Sequence, residues 1–387
     1  MITATFRPSR RLTLFVSGVV LCESAFYAVV PPLVPLLVRE THMTTTEVGI
    51  LVAAYPAGIL LAAVPSMALV NARGVRTTAV IGLGLLMVAT VGFAWSSAPV
   101  LLDLSRLIQG VGGAVSWAAA LAWLTSTAPA GRRASVLGGA VGAALIGMVL
   151  GPAIGAFASQ VGRGTVFTGI AVLLALMAAS APGAPARVAR TRSALHAVAT
   201  LLRNGPAALG NGLLATIGVV NGTVASLVPL LVTRRGGSPA TIAIILAASY
   251  VLASGWNVLL GRLADRFGRQ LPAVAGFAVA AVVLPLLPEV AVLSVLALAT
   301  ILASSMASGL WTPSAAMVTD SAAAGESGHA VAVGTMNAAW AAGGATGAFL
   351  VARVADVVGF TLPFVLVGGL CALAALTTLG VYLRANR

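Results

Sequence analysis

LVPLLV occupies residues 33–38 and returns at residues 227–232, an offset of 194. The same offset carries Ala53-Ala54 onto Ala247-Ala248, Gly74 onto Gly268 and Trp117 onto Trp311. Gly155-Ala156-Phe157 returns as Gly347-Ala348-Phe349 at an offset of 192. A single match means little in an apolar chain, but several in register across half of its length mean a duplicated unit. Each copy is apolar. Of the 387 residues, 59% are hydrophobic and 8% charged, with a mean hydropathy of +1.04. A soluble domain is about 25% charged, so this chain belongs in lipid.

A helix needs roughly 20 apolar residues to cross the hydrocarbon core. Twelve runs qualify: 12–38, 47–70, 77–96, 99–126, 134–158, 164–182, 206–232, 239–260, 271–288, 291–318, 330–353 and 359–383. The expected fold is all-α and integral to the membrane, with two pseudo-symmetric six-helix bundles over 1–182 and 206–387 joined by a linker over 183–205. The first run follows Arg7, Arg10 and Arg11 as a signal peptide would, but it is too long and is expected to be retained. In the linker, Leu195, Val198, Leu201 and Leu202 share one helical face, so part of it can lie on a leaflet or simply tether the bundles.

All 22 basic residues are arginine. With a cytoplasmic N-terminus, sixteen fall in inside segments and five in outside loops, and Arg106 lies within a span. That bias places both termini in the cytoplasm. The net charge of +13 therefore describes topology and the lipid surface, and no nucleic-acid partner is expected. Cys22 and Cys371 sit in apolar runs and His42, His196 and His329 are scattered, which excludes a disulfide framework and leaves no metal or cofactor site. A G-x-x-x-x-G-K-[ST] loop is absent from the sequence, as is a nucleophile–base pair in the spans, so neither ATP drive nor intramembrane catalysis is expected. Parallel six-span repeats are a plan of secondary transporters, with the site between the halves.

Three stretches carry more specific information. GRLADRFGRQ, 261–270, lies between spans 8 and 9. Gly261 and Gly268 permit close packing and a tight turn, Asp265 can cap a neighbouring helix, and Arg262, Arg266 and Arg269 suit an anionic leaflet. RLIQGVGG, 106–113, puts Arg106 about seven residues into span 4, a costly place unless it pairs or faces water. An alternative is snorkelling to the surface beside Asp103. In span 5, Gly138, Gly147, Gly151-Pro152 and Gly155 are separated by eight, three and two residues. Gly147, Gly151 and Gly155 form a stripe for close helix approach, while Pro152 removes a backbone donor.

Together these stretches resemble the major facilitator superfamily. The 8–9 loop resembles its signature loop, 106–113 its span-4 pattern, and span 5 its antiporter signature G-x8-G-x3-GP-x2-GG, with Ala156 in place of the last glycine. The 2–3 loop, MALVNARGVR at 67–76, departs from the pattern: Asn71 stands where an aspartate is expected and Ala72 where an arginine is. The resemblance implies transport by alternating access and, through span 5, export. By the repeat, it sends Asp265 to the start of span 5, beside Arg132 and Arg133.

Among the acidic residues, Glu23 alone falls near mid-membrane, about 16 Å beyond Leu12. It opens ESAFYAVVPPLVP, which resembles the superfamily's first helix. A carboxyl group there suits a proton carrier or an anchor for a cation, with Arg106 and Asp103 as further coupling candidates. Counted from the outer ends, Glu23 and Arg106 are about 22 Å and 10 Å deep, a gap that side chains could narrow or that Tyr27 and water could bridge. Cavity candidates are Tyr27 and Tyr55 in the first half, then Asn221, Tyr250, Trp256 and Asn257, and finally Trp311, Met336, Asn337 and Trp340. They describe an amphipathic pocket with one acid. The expected function is proton-coupled export of small amphipathic or cationic molecules by a monomer in a bacterial cell membrane. The alternatives are a proton-coupled importer or sugar-type exporter on the same fold, and a transporter-like sensor.

Overall fold

The computed structural model describes residues 10–127, 133–183, 194–322 and 326–385, and among them the regular structure is helical. Among the described residues eleven helices are long and apolar enough to cross a membrane, and Arg163–Ala179 is a shorter apolar one of 17 residues in the place of span 6. Helices dominate because a backbone in lipid must satisfy its own hydrogen bonds. With an even number of crossings, Arg10 and Ala385, the first and last described residues, fall on one face, called here the terminal face; the opposite one is the far face.

The long spans are continuous where the sequence allows it. Span 2 is Thr45–Arg73, span 4 Pro99–Thr127, span 5 Arg133–Val161, span 7 Gly205–Arg234, span 8 Pro239–Phe267 and span 11 Glu326–Val358. Three spans break where a single run was expected. Span 1 is helical over Arg10–Ala28, tightens to a 3-10 turn at Pro31–Leu33 and resumes over Val34–Thr41. Pro31, Pro32 and Pro35 withdraw three backbone donors there. Span 9 passes from Gln270–Val283 into a 3-10 segment, Leu284–Glu289, that holds Pro285 and Pro288. Span 10 divides into Leu293–Ser308 and Trp311–Asp320 around Gly309.

The duplication is visible in the backbone. Gly74 ends span 2 with φ +78°, and Gly268, 194 residues later, ends span 8 with φ +86°. Both angles lie where only glycine is unstrained. Each half has its own core. One gathers around Val16, Leu33, Leu83 and Trp123, the other around Ile217, Leu227, Phe277 and Phe364.

The halves meet toward the far face. Thr46 Oγ1 on span 2 donates to Asp356 Oδ2 on span 11 at 2.7 Å. One turn deeper, a Cβ on Gly49 would run into the Ala352 methyl and stand 2.7 Å from the Ala348 carbonyl oxygen. Toward the terminal face, Gly138 and Gly142 of span 5 and Gly334 of span 11 would meet no atom within 4 Å. The centre is thus closed at the far face.

Candidate functional site

The centre is built on glycines of span 4. A Cβ on Gly110 would run into the Tyr55 carbonyl oxygen, and one on Gly113 would stand 2.8 Å from Tyr55 Oη and 3.1 Å from Glu23 Cγ. Gly58 of span 2 is equally tight against Leu107 O. Spans 2 and 4 can therefore cross close enough for Tyr55 to reach span 1. Its hydroxyl lies 3.1 Å from the Glu23 main-chain oxygen and 3.4 Å from Glu23 Oε1. Ser24 Oγ is 3.5 Å from Oε2. Glu23 itself is half-buried.

Arg106 is 2% exposed. Its Nη1 donates to Phe26 O and to Gln109 Oε1, both at 2.9 Å. Gln109 Nε2 continues to Thr90 Oγ1 at 3.3 Å. The guanidinium carbon stands 4.4 Å from the centre of the Tyr55 ring, close enough for cation–π attraction. This placement corrects the snorkelling alternative. Arg106 turns inward, and among the described residues it forms no ion pair with Asp103, whose Oδ1 is buried without a partner. Of the alternatives for the depth gap between Glu23 and Arg106, side chains bridge it, and the one that does so is Tyr55 and not Tyr27, because it offers its hydroxyl to the acid and its ring face to the arginine.

Tyr27 does something else. Its ring meets Tyr55 edge-on at 6.2 Å and Trp340 at 4.8 Å, and Trp340 meets Trp311 edge-on at 6.2 Å. This aromatic line runs from span 2 through spans 1 and 11 to span 10, so it joins the halves at mid-depth. Beside it a crevice is lined by Tyr27, Pro31, Pro56, Arg106, Gly222 and Gly344. A second, narrow crevice in the other half is lined by Asn221, Ser249, Tyr250, Ser304 and Ser308. Ala225 borders both.

Three expected cavity residues serve packing instead. Met336 is buried in the second core at 6% exposure. Trp256 places its Cβ against Gly309, filling the space left at the span 10 break. Asn257 is spent on that break as well: Oδ1 accepts from Thr312 N at 3.0 Å and Thr312 Oγ1 at 2.9 Å, and Nδ2 donates to Ser308 O at 3.3 Å. Asn337 is half-buried on span 11. The serines of the second crevice were missed; their signal is hydroxyls at 304 and 308, one turn apart in an apolar run.

The span 5 stripe packs on span 1. A Cβ on Gly147 would run into Leu21 O, one on Gly151 would be 2.6 Å from Ala25 O, and one on Gly155 would run into Val29 O. Both helices advance four residues per contact, so the stripe is a continuous seam beneath Glu23. Pro152 is buried within the unbroken helix. Gly138 belongs to the spacing but not to the seam. Of the stretch expected as the 8–9 loop, residues 261–267 form the last turns of span 8, and the chain turns only at Gly268. A Cβ on Gly261 would stand 3.2 Å from the Thr312 methyl, Arg266 lies 5.2 Å over Phe267, and Arg269 pairs with Asp320 at 2.6 Å. Asp265 is exposed and unpaired among the described residues. Its expected partner Arg132, like Arg7, Arg187, Arg190, Arg192 and Arg387 of the topology count, lies outside them, as does the Arg133 side chain.

Two bundles in tandem, in contact at one face and holding an acid–tyrosine–arginine group between spans 1, 2 and 4, form the setting for the sequence comparison. The profile of the Major Facilitator Superfamily matches twice, over residues 16–236 and 210–387. The chain belongs to the Major Facilitator Superfamily. It is a multi-pass membrane transporter and not an enzyme. It is 27% identical over 279 residues to an uncharacterized MFS-type transporter, YcaD, of Escherichia coli, covering 68% of this chain and 69% of that one. The YcaD protein of Shigella dysenteriae matches equally. Among solved structures, a bacterial homolog of the human lysosomal transporter Spinster, inward-facing and occupied, superposes with a TM-score of 0.77 at 14% identity, covering 96% of this chain and 97% of that one. A D-xylose–proton symporter superposes with a TM-score of 0.73 at 17% identity, over 95% and 96%. These two share the fold with this transporter.

Proposed function

We propose that this transporter exports small amphipathic molecules, cationic ones among them, in exchange for protons, working as a monomer in a bacterial cell membrane. One observation carries the reading. A carboxyl group, Glu23, half-buried within span 1, sits on a tyrosine whose ring faces Arg106, an arginine with no ion pair among the described residues. An acid of this kind within a span is a functional group by default. Tyr55 links its state to Arg106, and the Tyr27–Trp340 contact links the same point to the opposite bundle.

In this reading the arginine-rich terminal face is cytoplasmic, and the contact of Thr46 and Gly49 with span 11 closes the outer side. Deprotonated Glu23 attracts a cationic or amphipathic substrate from the cytoplasm. The bundles then rock about the centre, the far face opens, and a proton from outside neutralises Glu23 and releases the substrate. The Gly147–Gly155 seam lets span 1 move with span 5 as one body. Asp265 engages the start of span 5 when the cytoplasmic side closes.

The test is purified protein in liposomes with an imposed pH gradient, screened against dyes, antibiotics and sugars. Gradient-driven uptake of a cationic dye by inside-out protein is expected, and Glu23→Gln abolishes it while the protein remains folded. Substrate-induced proton release in detergent provides the second readout. Undiminished release from Glu23→Gln moves the coupling site elsewhere, with Asp103 next in line. Uptake confined to sugars overturns the substrate reading.

A further inference from the structure

The second crevice has a chemistry of its own. Spans 7, 8 and 10 converge there, and every lining residue is uncharged: Asn221, Ser249, Tyr250, Ser304 and Ser308 among apolar neighbours. The serine protons are already committed. Ser249 Oγ donates to Ile245 O at 2.7 Å, Ser304 Oγ lies 2.9 Å from Ser249 Oγ and 2.7 Å from Thr300 O, and Ser308 Oγ donates to Asn221 Oδ1 at 3.0 Å. That last bond fixes the Asn221 amide, with its oxygen toward span 10 and its NH2 free. Among the described residues no protein group bonds Asn221 Nδ2 or the Tyr250 hydroxyl. Two side chains with donors that bond no protein group among the described residues thus line this crevice, and a donor left unmet away from water costs free energy.

We propose that this crevice is a subsite for one uncharged oxygen acceptor of the substrate, a carbonyl or ether oxygen, held by Asn221 and Tyr250. The reason is the donor surplus: two free donors and no charge select an acceptor oxygen over an ammonium or a carboxylate. Ala225 separates this crevice from the one beside Tyr27 and Arg106, so a molecule whose aromatic body lies on Tyr27 and Trp340 can reach both. The proposal rests on the reading of this centre as the substrate path and names the transported class further: amphipathic molecules with an oxygen acceptor set apart from any cationic end.

Matched probes test it on the full-length protein in detergent by equilibrium dialysis. Benzoylcholine is compared with a phenylalkyl-trimethylammonium of equal length that lacks the ester oxygens, and acetophenone with ethylbenzene as an uncharged pair. One or two hydrogen bonds correspond to a preference of about five- to tenfold for the oxygenated member. Tyr250→Phe removes only a hydroxyl that bonds no protein group among the described residues, so a packing role leaves its binding unchanged; the proposal requires the preference to fall toward unity. Asn221→Ala gives the same loss. Glu23→Gln weakens both cations in parallel and keeps the ratio, so failure of the charge reading and failure of the subsite are told apart. No preference in wild type for either pair, or a preference that survives both substitutions, overturns the subsite and leaves a crevice filled by water.

Discussion

The closest approach of the halves at the far face is made by a residue without a side chain. Gly49 brings span 2 against Ala348 and Ala352 of span 11, and Gly49→Val places two methyl groups where even a Cβ meets the Ala352 methyl and stands 2.7 Å from a backbone oxygen. Backbone cannot rotate out of the way, so the helices must part or strain. Overpacking of this kind costs about 1–3 kcal/mol, a shift of roughly five- to 150-fold in the ratio of closed to open far face. The neighbouring Thr46–Asp356 hydrogen bond is exposed and contributes about 1 kcal/mol at most, so packing decides the equilibrium. Spin labels at positions 39 and 357, in protein with Cys22 and Cys371 replaced by alanine, read the far-face separation by double electron–electron resonance. Gly49→Val should populate a longer distance and lower turnover, because transport needs both states; Gly49→Ala should do the same more weakly. A wild-type distance distribution in a folded Gly49→Val protein refutes the reasoning.

Within the span 5 signature the two ends should behave differently. Gly138→Ala, with nothing within 4 Å, should leave thermal stability within about 0.5 kcal/mol of wild type, whereas Gly151→Ala, against Ala25 O at 2.6 Å, should lower it by about 1–3 kcal/mol. Tyr55→Phe keeps the ring under Arg106 but removes the hydroxyl from Glu23; turnover under a pH gradient should fall several-fold while the unfolding temperature barely moves. Asn257→Ala strips the span 10 break of three hydrogen bonds and should cost about 1–3 kcal/mol in thermal unfolding. Unfolding midpoints by intrinsic fluorescence check both glycine variants and Asn257→Ala.

Several elements of the site were legible in the primary structure. Glu23 and Arg106 stand out because charges are so costly in lipid that each one left in a span marks a task. The stripe at 147, 151 and 155 announces a close helix approach. Tyr55 as the link, Asn257 as a clamp and Met336 as core were not legible. The three breaks were partly so: prolines mark those in spans 1 and 9, while the one in span 10 needs Asn257 and Trp256 on a neighbouring helix to hold it.

The sequence by itself determined the class, the number of spans, the duplication and the places where helices must turn, since hydrocarbon leaves a backbone almost no choice but to satisfy its hydrogen bonds within each helix. The tertiary structure decided which faces meet. A soluble helix declares its inner face by a polar outer one. These spans are apolar all round, and lipid gives no such signal, so their rotation is set by contacts across helices. The glycines of span 4 against Tyr55 are the instance that matters most, because they alone allow one tyrosine to lie between the acid of span 1 and the arginine of span 4.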